Sequence, residues 1–472
     1  MHTVFKLKRL WILLAVAVTG FSQLTAANPS RPNVLFILAD DLGISGLNCY
    51  GSDWLETPNL DKLCEQGLKC TGGIAPFPVC KPSRAVTLTG QYSQRTGVYR
   101  VAERHAGYEN RIRFILPDNG IIPPTTPLIN KPFKDAGYAT AMYGKWHIGA
   151  EYREGFHPTD YGFDDAVASN GAHYNAKSIP EMDIPDGITV EEVLTTRAIG
   201  FMEQAVKDEK PFFIFMPYFW IHAPFEADPD LVAYFEKKYE GREWIGSKGD
   251  QIPMLAAMTK MLDDQCGRLF KALENLGVEE DTIVIFTSDN GSFNENMVGE
   301  YRETKGQVYD GGMRVPYIFK WPRHIAAGSE TAEPMIGTDL FPTLVSLAGL
   351  EKPEGHILDG FDLSPLLLGN VDELPQRQMY CYFPKYARYN KNKKTWGDSW
   401  RNVIYDGDYK LIEYPEYEVV EVFNRSADPG EKKDLSNQQP EVTRTLLQRL
   451  HQHLESTGAP DYVVNPEFSL ED

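Results

Sequence analysis

Three stretches of the chain are unbroken apolar runs that stop abruptly at polar residues. Val34 to Ala39 ends at Asp40-Asp41, and Thr282 to Thr287 ends at Ser288-Asp289-Asn290-Gly291. Pro211 to Met216 is followed shortly by His222, and a shorter run, Tyr138 to Tyr143, leads into Gly144-Lys145-Trp146-His147. Strands buried on both faces of a parallel sheet have this pattern. Between them, Thr189 to Lys207 and Leu255 to Leu276 carry apolar residues at helical spacing. The first has Glu191 and Glu192 in its opening turn, and the second stops at Gly277. Strands alternating with helices predict an α/β fold with a large, mostly parallel sheet. Ligands of such sheets bind beyond the carboxyl ends of the strands. The Asp, Asn and His residues there converge on one site.

The texture changes after about residue 370. Met379 to Tyr417 is rich in Tyr, Lys, Arg and Trp, and two β-prone runs, Arg401 to Tyr405 and Tyr409 to Ile412, flank Asp406-Gly407-Asp408. This predicts a hairpin in a small antiparallel sheet, closed by a helix over Val442 to Leu454. The expected organisation is a signal segment over 1–27, a large domain over 28–370 and a C-terminal subdomain over 371–472.

The leader has the features of an export signal. Lys6, Lys8 and Arg9 precede the apolar run Leu10 to Val18, and Thr25-Ala26-Ala27 offers a cleavage site. The run is shorter than the roughly 20 residues of a membrane-spanning helix. The sequence therefore predicts a mature protein that is periplasmic or secreted. The net charge is −19 over 472 residues, and losing those three basic residues takes it to −22. So acidic a surface argues against a nucleic-acid partner and requires any anion site to be locally basic. Six cysteines (49, 64, 70, 80, 266, 381) are few for an exported chain this long. Cys64 and Cys70 are the only pair close in sequence.

Cys80 is the cysteine in the most telling context. Pro82 suits a first helical turn, and Gly90 is a stop, so Cys80 falls at a helix N-terminus with Arg84 one turn on. Backbone N–H groups and the dipole favour an anion there, although a buried structural thiol would fit the same residues. Lys145 and His147 are spaced i, i+2, which in an extended segment puts both on one face. Asp40, Asp41, Asp289 and Asn290 offer the hard oxygens a divalent cation prefers, and helix capping or turn formation is their plainer use. His222 lies in Trp220-Ile221-His222-Ala223-Pro224, and Lys305 begins Lys305-Gly306-Gln307-Val308-Tyr309-Asp310-Gly311-Gly312-Met313-Arg314-Val315-Pro316.

Cys80-Lys81-Pro82-Ser83-Arg84, with Gly90 after it, matches the C-x-P-S-R-x-x-x-x-x-G signature of the type I sulfatases, within the alkaline phosphatase superfamily. The segments around Asp40-Asp41, Gly137 to Gly149, His222, Asp289-Asn290 and Lys305 resemble further family motifs in the expected order. The resemblance runs from about Arg31 to Leu435. It implies an alkaline-phosphatase-like sandwich and a sulfuric ester hydrolase whose Cys80 is oxidised to formylglycine by a maturation enzyme. In that reading Asp40, Asp41, Asp289, Asn290 and the formylglycine bind calcium, magnesium being less suited because it holds its water more tightly. Arg84, Lys145 and Lys305 neutralise the sulfate. A hydroxyl of the hydrated formylglycine attacks sulfur with help from Asp289, His222 protonates the departing alcohol, and His147 drives release of sulfate.

The family motifs leave the alcohol open. Arg104, His105, His173, Lys177, Lys385, Arg388 and Trp396 are candidates to bind a sulfated, carboxylated sugar, with cations for the acid groups and an aromatic face for the ring. Export and acidity favour a polysaccharide sulfatase. The alternatives are a broad arylsulfatase, a phosphonate monoester hydrolase or phosphodiesterase of the same superfamily, or a sulfated-glycan binding protein if Cys80 is not converted.

Overall fold

The computed structural model describes residues 31–101, 112–114, 120–150, 153–246, 249–384, 387–390 and 395–465. Residues Arg31–Asp472 form one compact unit. Its main sheet has nine strands: β1 (Asn33–Ala39), β2 (Leu68–Cys70), β3 (Ala139–Gly144), β4 (Asp165–Ser169), β5 (Ser178–Ile179), β6 (Phe212–Pro217), β7 (Thr282–Ser288), β8 (Tyr317–Lys320) and β9 (Ser329–Thr331). The spatial order is β9-β2-β8-β7-β1-β6-β3-β4-β5. The central block β7-β1-β6-β3-β4 is parallel throughout, so the carboxyl ends of these strands share one edge. β8 runs antiparallel to both of its neighbours, and β5 antiparallel to β4.

Alternation along β1 explains why its sequence is apolar without a break. Leu35 and Ile37 pack into one core with Leu194, Leu262 and Leu269, whereas Val34, Phe36 and Leu38 pack into another with Leu88, Phe341 and Leu344. A strand covered on both faces has no polar side to show. The helices doing the covering include α1 (Pro58–Glu65), α2 (Cys80–Thr89), α3 (Val190–Lys207) and α4 (Ile252–Leu276). Thr189 caps α3, accepting from the Glu192 N–H while the Glu192 carboxylate accepts from Thr189 N. Gly277, in the left-handed region at φ 70°, ends α4.

The C-terminal sheet consists of β10 (Gln378–Phe383), β13 (Arg401–Asp406), β14 (Tyr409–Tyr414) and β15 (Val419–Asn424), antiparallel in that order, with α5 (Pro440–Ser456) on one face. Between β10 and β13, β11 (Ala387–Asn390) and β12 (Thr395–Asp398) form a separate antiparallel pair. The other face of the four-stranded sheet supplies Met379, Cys381, Val403 and Ile412 to a core shared with Phe77, Val79, Val308 and Met313. The small sheet therefore backs the two segments that carry Cys80 and Lys305.

The two cysteines that are close in sequence are not the two in contact. Cys70 is buried in β2, its thiol 3.4 Å from the Glu333 carbonyl, while Cys64 meets Cys49. Closeness in sequence misleads here because α1 turns Cys64 away from the strand that follows it. Among the described residues, no helix is long and apolar enough to cross a membrane.

Candidate active site

Four adjacent parallel strands deliver the polar cluster. Asp40 and Asp41 leave β1, Asp289 and Asn290 leave β7, Lys145 and His147 follow β3, and His222 follows β6. Main-chain bonds hold these ends in register: Asp40 N donates to Trp220 O, Ile221 N to Asp40 O, and Asp289 N to Ala39 O, at 2.7–3.2 Å. Cys80 is the first residue of α2, and Val79, Phe77 and the small sheet fix where that helix begins.

The cluster is almost closed to solvent. Asp40 and Arg84 are 0% exposed, Cys80, Asp41 and Asp289 2%, and Lys145 6%. Ligand atoms of Asp40, Cys80 and Asp289 lie within 4.8 Å of one another. Each carboxylate has a cation. Lys145 Nζ donates to Asp40 Oδ2. Lys305 Nζ lies 2.6 and 2.7 Å from the two oxygens of Asp41, and Arg84 Nε and Nη2 both lie 2.8 Å from Asp289 Oδ2. Arg84 Nη1 donates to Lys145 O at 3.0 Å, and Asn290 Nδ2 donates to Asp41 Oδ1 at 2.8 Å. Ser83, inside the C-x-P-S-R run, donates to Asp289 O at 2.5 Å and so ties α2 to β7.

Burial works against every charge here, and the partners decide the outcome. Lys145, then Arg84, hold Asp40 well below the usual carboxylate range in spite of its burial. Asp289 goes the other way: burial and the neighbouring Asp40 push it up to about 7, against Arg84 and Lys145. Lys305 is raised because Asp41, then Cys80, outweigh its desolvation. Burial raises the Cys80 thiol despite Lys145 and Lys305, so at neutral pH it carries its proton and is a poor nucleophile as it stands. Burial, Lys145 and Arg84 keep His147 neutral.

The cluster meets the requirements of a divalent-cation site. Asp40 Oδ1 and Asn290 Oδ1 are buried acceptors with no hydrogen-bond donor, and such atoms are costly to leave unmatched. Asp40 and Asp289 face each other with their acidities split, as unbridged neighbouring carboxylates do. Asp40, Asp289, Asn290 and Asp41 supply the hard oxygen donors that magnesium and calcium take. The Cys80 sulfur occupies the place where the oxygens of a converted residue would stand.

Several expectations need correction. Lys145 and His147 do not lie on an extended segment: β3 ends at Gly144, and His147 sits at φ 58°, in the left-handed region. Both residues are nonetheless in the cluster, because the chain turns back on itself rather than alternating. His173 is not a substrate contact. It is 0% exposed, its Nδ1 lies 2.5 Å from Glu191 Oε1, and its Nε2 lies 3.2 Å from the His222 carbonyl. Lys177 is exposed in a turn closed by Asn170 N donating to Lys177 O. Arg388 and Trp396 fall on β11 and β12. Arg104, His105 and Lys385 lie outside the described residues.

Two supports are absent from any motif reading. Glu191 and His173 form a buried pair under the His222 segment, and His173 stacks on Trp220 at 6.0 Å. Behind Lys305, the Asp310 carboxylate accepts from Lys410 Nζ at 2.8 Å and Arg425 Nε at 3.0 Å. Glu431 takes Lys410 Nζ at 2.6 Å and the Asp310 N–H at 2.6 Å. Gly306 N donates to Pro78 O at 2.8 Å, so the Lys305 segment is also fastened to the approach to Cys80. The one available signal was Lys410, a cation on the same strand face as the buried Ile412.

Residues 32–350 match the family model "Sulfatase", and residues 299–459 match "N-sulphoglucosamine sulphohydrolase, C-terminal". Pig (Sus scrofa) N-acetylgalactosamine-6-sulfatase is 31% identical over 97% of this chain and 92% of its own length. Human (Homo sapiens) arylsulfatase A is 31% identical over 93% of this chain and 89% of its own. The crystal structure of Ps i-CgsB in complex with k-i-k-neocarrahexaose superposes with a TM-score of 0.75 at 24% identity, covering 90% of this chain and 92% of that one, and shares the fold. Members of this family generally use a formylglycine and a divalent metal. Motif, sheet and sequence match agree from β1 to the C-terminal sheet: the chain belongs to the sulfatase family of the alkaline phosphatase superfamily and is a sulfuric ester hydrolase.

Proposed function

We propose that this sulfatase is exported, to the periplasm or beyond the cell, and removes sulfate from a sulfated polysaccharide or oligosaccharide. Its nucleophile is formylglycine made from Cys80 by a maturation enzyme, and its metal is calcium. The observation that carries this reading is the position of Cys80. It opens a helix, within 4.8 Å of Asp40 and Asp289, with Arg84 and Lys145 buried beside it. A sugar substrate is supported by the names of the relatives, an N-acetylgalactosamine-6-sulfatase and a protein crystallised with neocarrahexaose. Export is supported by the basic and apolar leader.

Calcium, held by Asp40, Asp41, Asp289, Asn290 and residue 80, would neutralise charge on the sulfate oxygens. The converted residue, once hydrated, would supply the attacking oxygen. The chain's own side chains do the rest. Lys145 and Lys305 offset the charge of the sulfate in a buried setting, where preorganised cations are worth more than in water. Arg84 orients Asp289, which assists the attacking hydroxyl. His222, half-buried beyond β6, protonates the departing alcohol oxygen. His147 is neutral at physiological pH and accepts a proton when sulfate leaves. Arg104, His105, Lys177, Lys385, Arg388 and Trp396 are the proposed sugar contacts. The catalytic part lies within 28–370, and the subdomain over 371–472 shapes the substrate side.

Two measurements test the reading. Mass analysis of the peptide holding Cys80, from protein made in its native host, should show a residue lighter than cysteine; an unmodified thiol throughout overturns the formylglycine mechanism. Defined sulfated oligosaccharides should be desulfated faster than aryl phosphodiesters are cleaved, with activity lost on chelation and restored by calcium. A preference for the phosphodiester overturns the substrate reading.

A further inference from the structure

A pair of thiols in contact lies outside the catalytic cluster. Cys49 is in a single 3-10 turn, Asn48–Tyr50, and Cys64 is in the last turn of α1. The Cys64 thiol donates to the Cys49 sulfur at 2.9 Å. Two bonds that do not involve the thiols hold the two elements together, and a third within the start of α1 fixes their acceptors. Asn48 N donates to Thr57 Oγ1 at 3.0 Å, Cys49 N to Asp61 Oδ1 at 2.9 Å, and Thr57 Oγ1 to the same Asp61 oxygen at 3.0 Å. The pair is also accessible: both cysteines line a surface cleft of 460 Å³ together with Asn48, Asp61, Glu65 and Lys69. Cys49 is half-buried, whereas the other five cysteines are buried.

We propose that Cys49 and Cys64 are a modification site, joined as an intramolecular disulfide in the working enzyme. The chemistry is two thiol–disulfide exchanges with a small or protein disulfide as oxidant. The Cys49 thiolate attacks one sulfur of the oxidant, forming a mixed disulfide and releasing one thiol. The Cys64 thiolate then attacks the Cys49 sulfur and releases the second. Two protein thiols and one disulfide thus become one protein disulfide and two thiols, with both protons passing to the released thiolates. The hydrogen bond to Cys64, then burial, raises the Cys49 thiol, so its oxidation quickens as pH rises.

The bond would close a short loop on the chain that leaves Asp40 and Asp41. Ile44 N donates to Arg314 O and Ser45 N to Met297 O, at 3.1 and 3.2 Å, so this stretch is packed against the segments around Lys305. A loop of this size restricts the unfolded chain enough to shift the folding equilibrium on the order of 100-fold. Neither cysteine belongs to the catalytic machinery, so the link stabilises the enzyme without taking part in turnover.

The test uses the full-length purified protein in a buffer of reduced and oxidised glutathione, which makes it independent of where the cell places the enzyme. Trypsin cuts at Lys62, between Cys49 and Cys64, and at Lys69, between Cys64 and Cys70. Non-reducing peptide mapping should show the Cys49 and Cys64 peptides linked and separated by reductant, with Cys70, Cys266 and Cys381 alkylated on denaturation. The variant Cys49→Ser should release Cys64 to alkylation, leave sulfatase activity unchanged and lower the Tm of the oxidised protein to that of the reduced wild type. Alkylation of both Cys49 and Cys64 in the oxidised wild type, or a bond from Cys64 to Cys70, overturns the assignment.

Discussion

Arg84 fixes Asp289 through its fork: Nε donates to Oδ2 at 2.8 Å with Nη2 at the same distance from that oxygen, while Nη1 donates to Lys145 O at 3.0 Å. Asp289 Oδ1 is left to the Asp41 N–H, at 3.3 Å, and to the space shared with Asp40 and Cys80. Arg84 is thus a rigid clamp as well as a charge. A lysine has one nitrogen and cannot reproduce the grip. Arg84→Lys should lower kcat/KM by on the order of 100-fold or more, as loss of a preorganised charge does. Steady-state kinetics on an aryl sulfate, corrected for the converted fraction of residue 80 by mass, reads this out. Activity within threefold of wild type would remove Arg84 from the mechanism.

How far was this centre legible? Asp40-Asp41 and Asp289-Asn290 are legible because each pair ends a buried apolar strand at the edge where ligands bind, although capping or turn formation is the plainer use of such residues. Cys80 and Arg84 are one helical turn apart and needed only local geometry. Extended spacing predicts Lys145 and His147 on one face of a strand, and the positive φ of His147 replaces that alternation with a turn. His173 failed for a different reason. A histidine near a site reads alike whether it faces substrate or a buried glutamate, and Glu191 looked like an ordinary first-turn acid. Lys410 shows in the sequence only as a cation on a buried strand face, and its partners Asp310 and Glu431 do not show at all, because the bonds among the three span 100 and 121 residues.

That buried network yields a stability prediction. Lys410 is 0% exposed and satisfies both Asp310 and Glu431. Lys410→Met leaves Glu431 buried without a cation, which typically costs 3–5 kcal/mol. Adding Glu431→Gln removes the stranded charge, while Arg425 still serves Asp310. The double variant should therefore be more stable than Lys410→Met alone, a coupling that urea denaturation measures directly. If the two effects simply add, the network is not acting as a unit.

His453 sets an acid limb on stability. Its ring stacks on Tyr380 at 3.5 Å and meets Tyr92 edge-on at 5.0 Å. Burial, then Arg95, lowers its pKa from 6.5 to about 3. The unfolded chain therefore binds more protons than the folded one between those values, and stability falls as pH drops from 6.5 toward 3. Allowing for partial exposure, the loss between pH 6.5 and 4.5 should be about 2 kcal/mol. His453→Phe keeps a ring between the tyrosines and removes the titration. Denaturation at the two pH values should show the wild type losing more stability than the variant; equal losses would clear His453 of the effect.

The Glu191–His173 pair predicts how the enzyme should depend on its leaving group. His173 holds the His222 carbonyl at 3.2 Å, and its amide N–H reaches Glu226 at 3.1 Å, so both the ring and backbone of His173 brace the segment carrying the proposed proton donor. An aryl sulfate releases a phenolate that needs little protonation, whereas a sugar alcohol is a poor leaving group and depends on a well-placed acid. Glu191→Gln weakens the brace without touching the sulfate cations. It should leave aryl sulfate turnover within a few-fold of wild type and cut kcat on a sulfated sugar by about 10-fold to 100-fold, KM being little changed. His222→Ala should show the same contrast, more strongly. Equal losses on both substrates would mean that Glu191 supports the fold of the whole site, and the pair would then have no particular tie to His222.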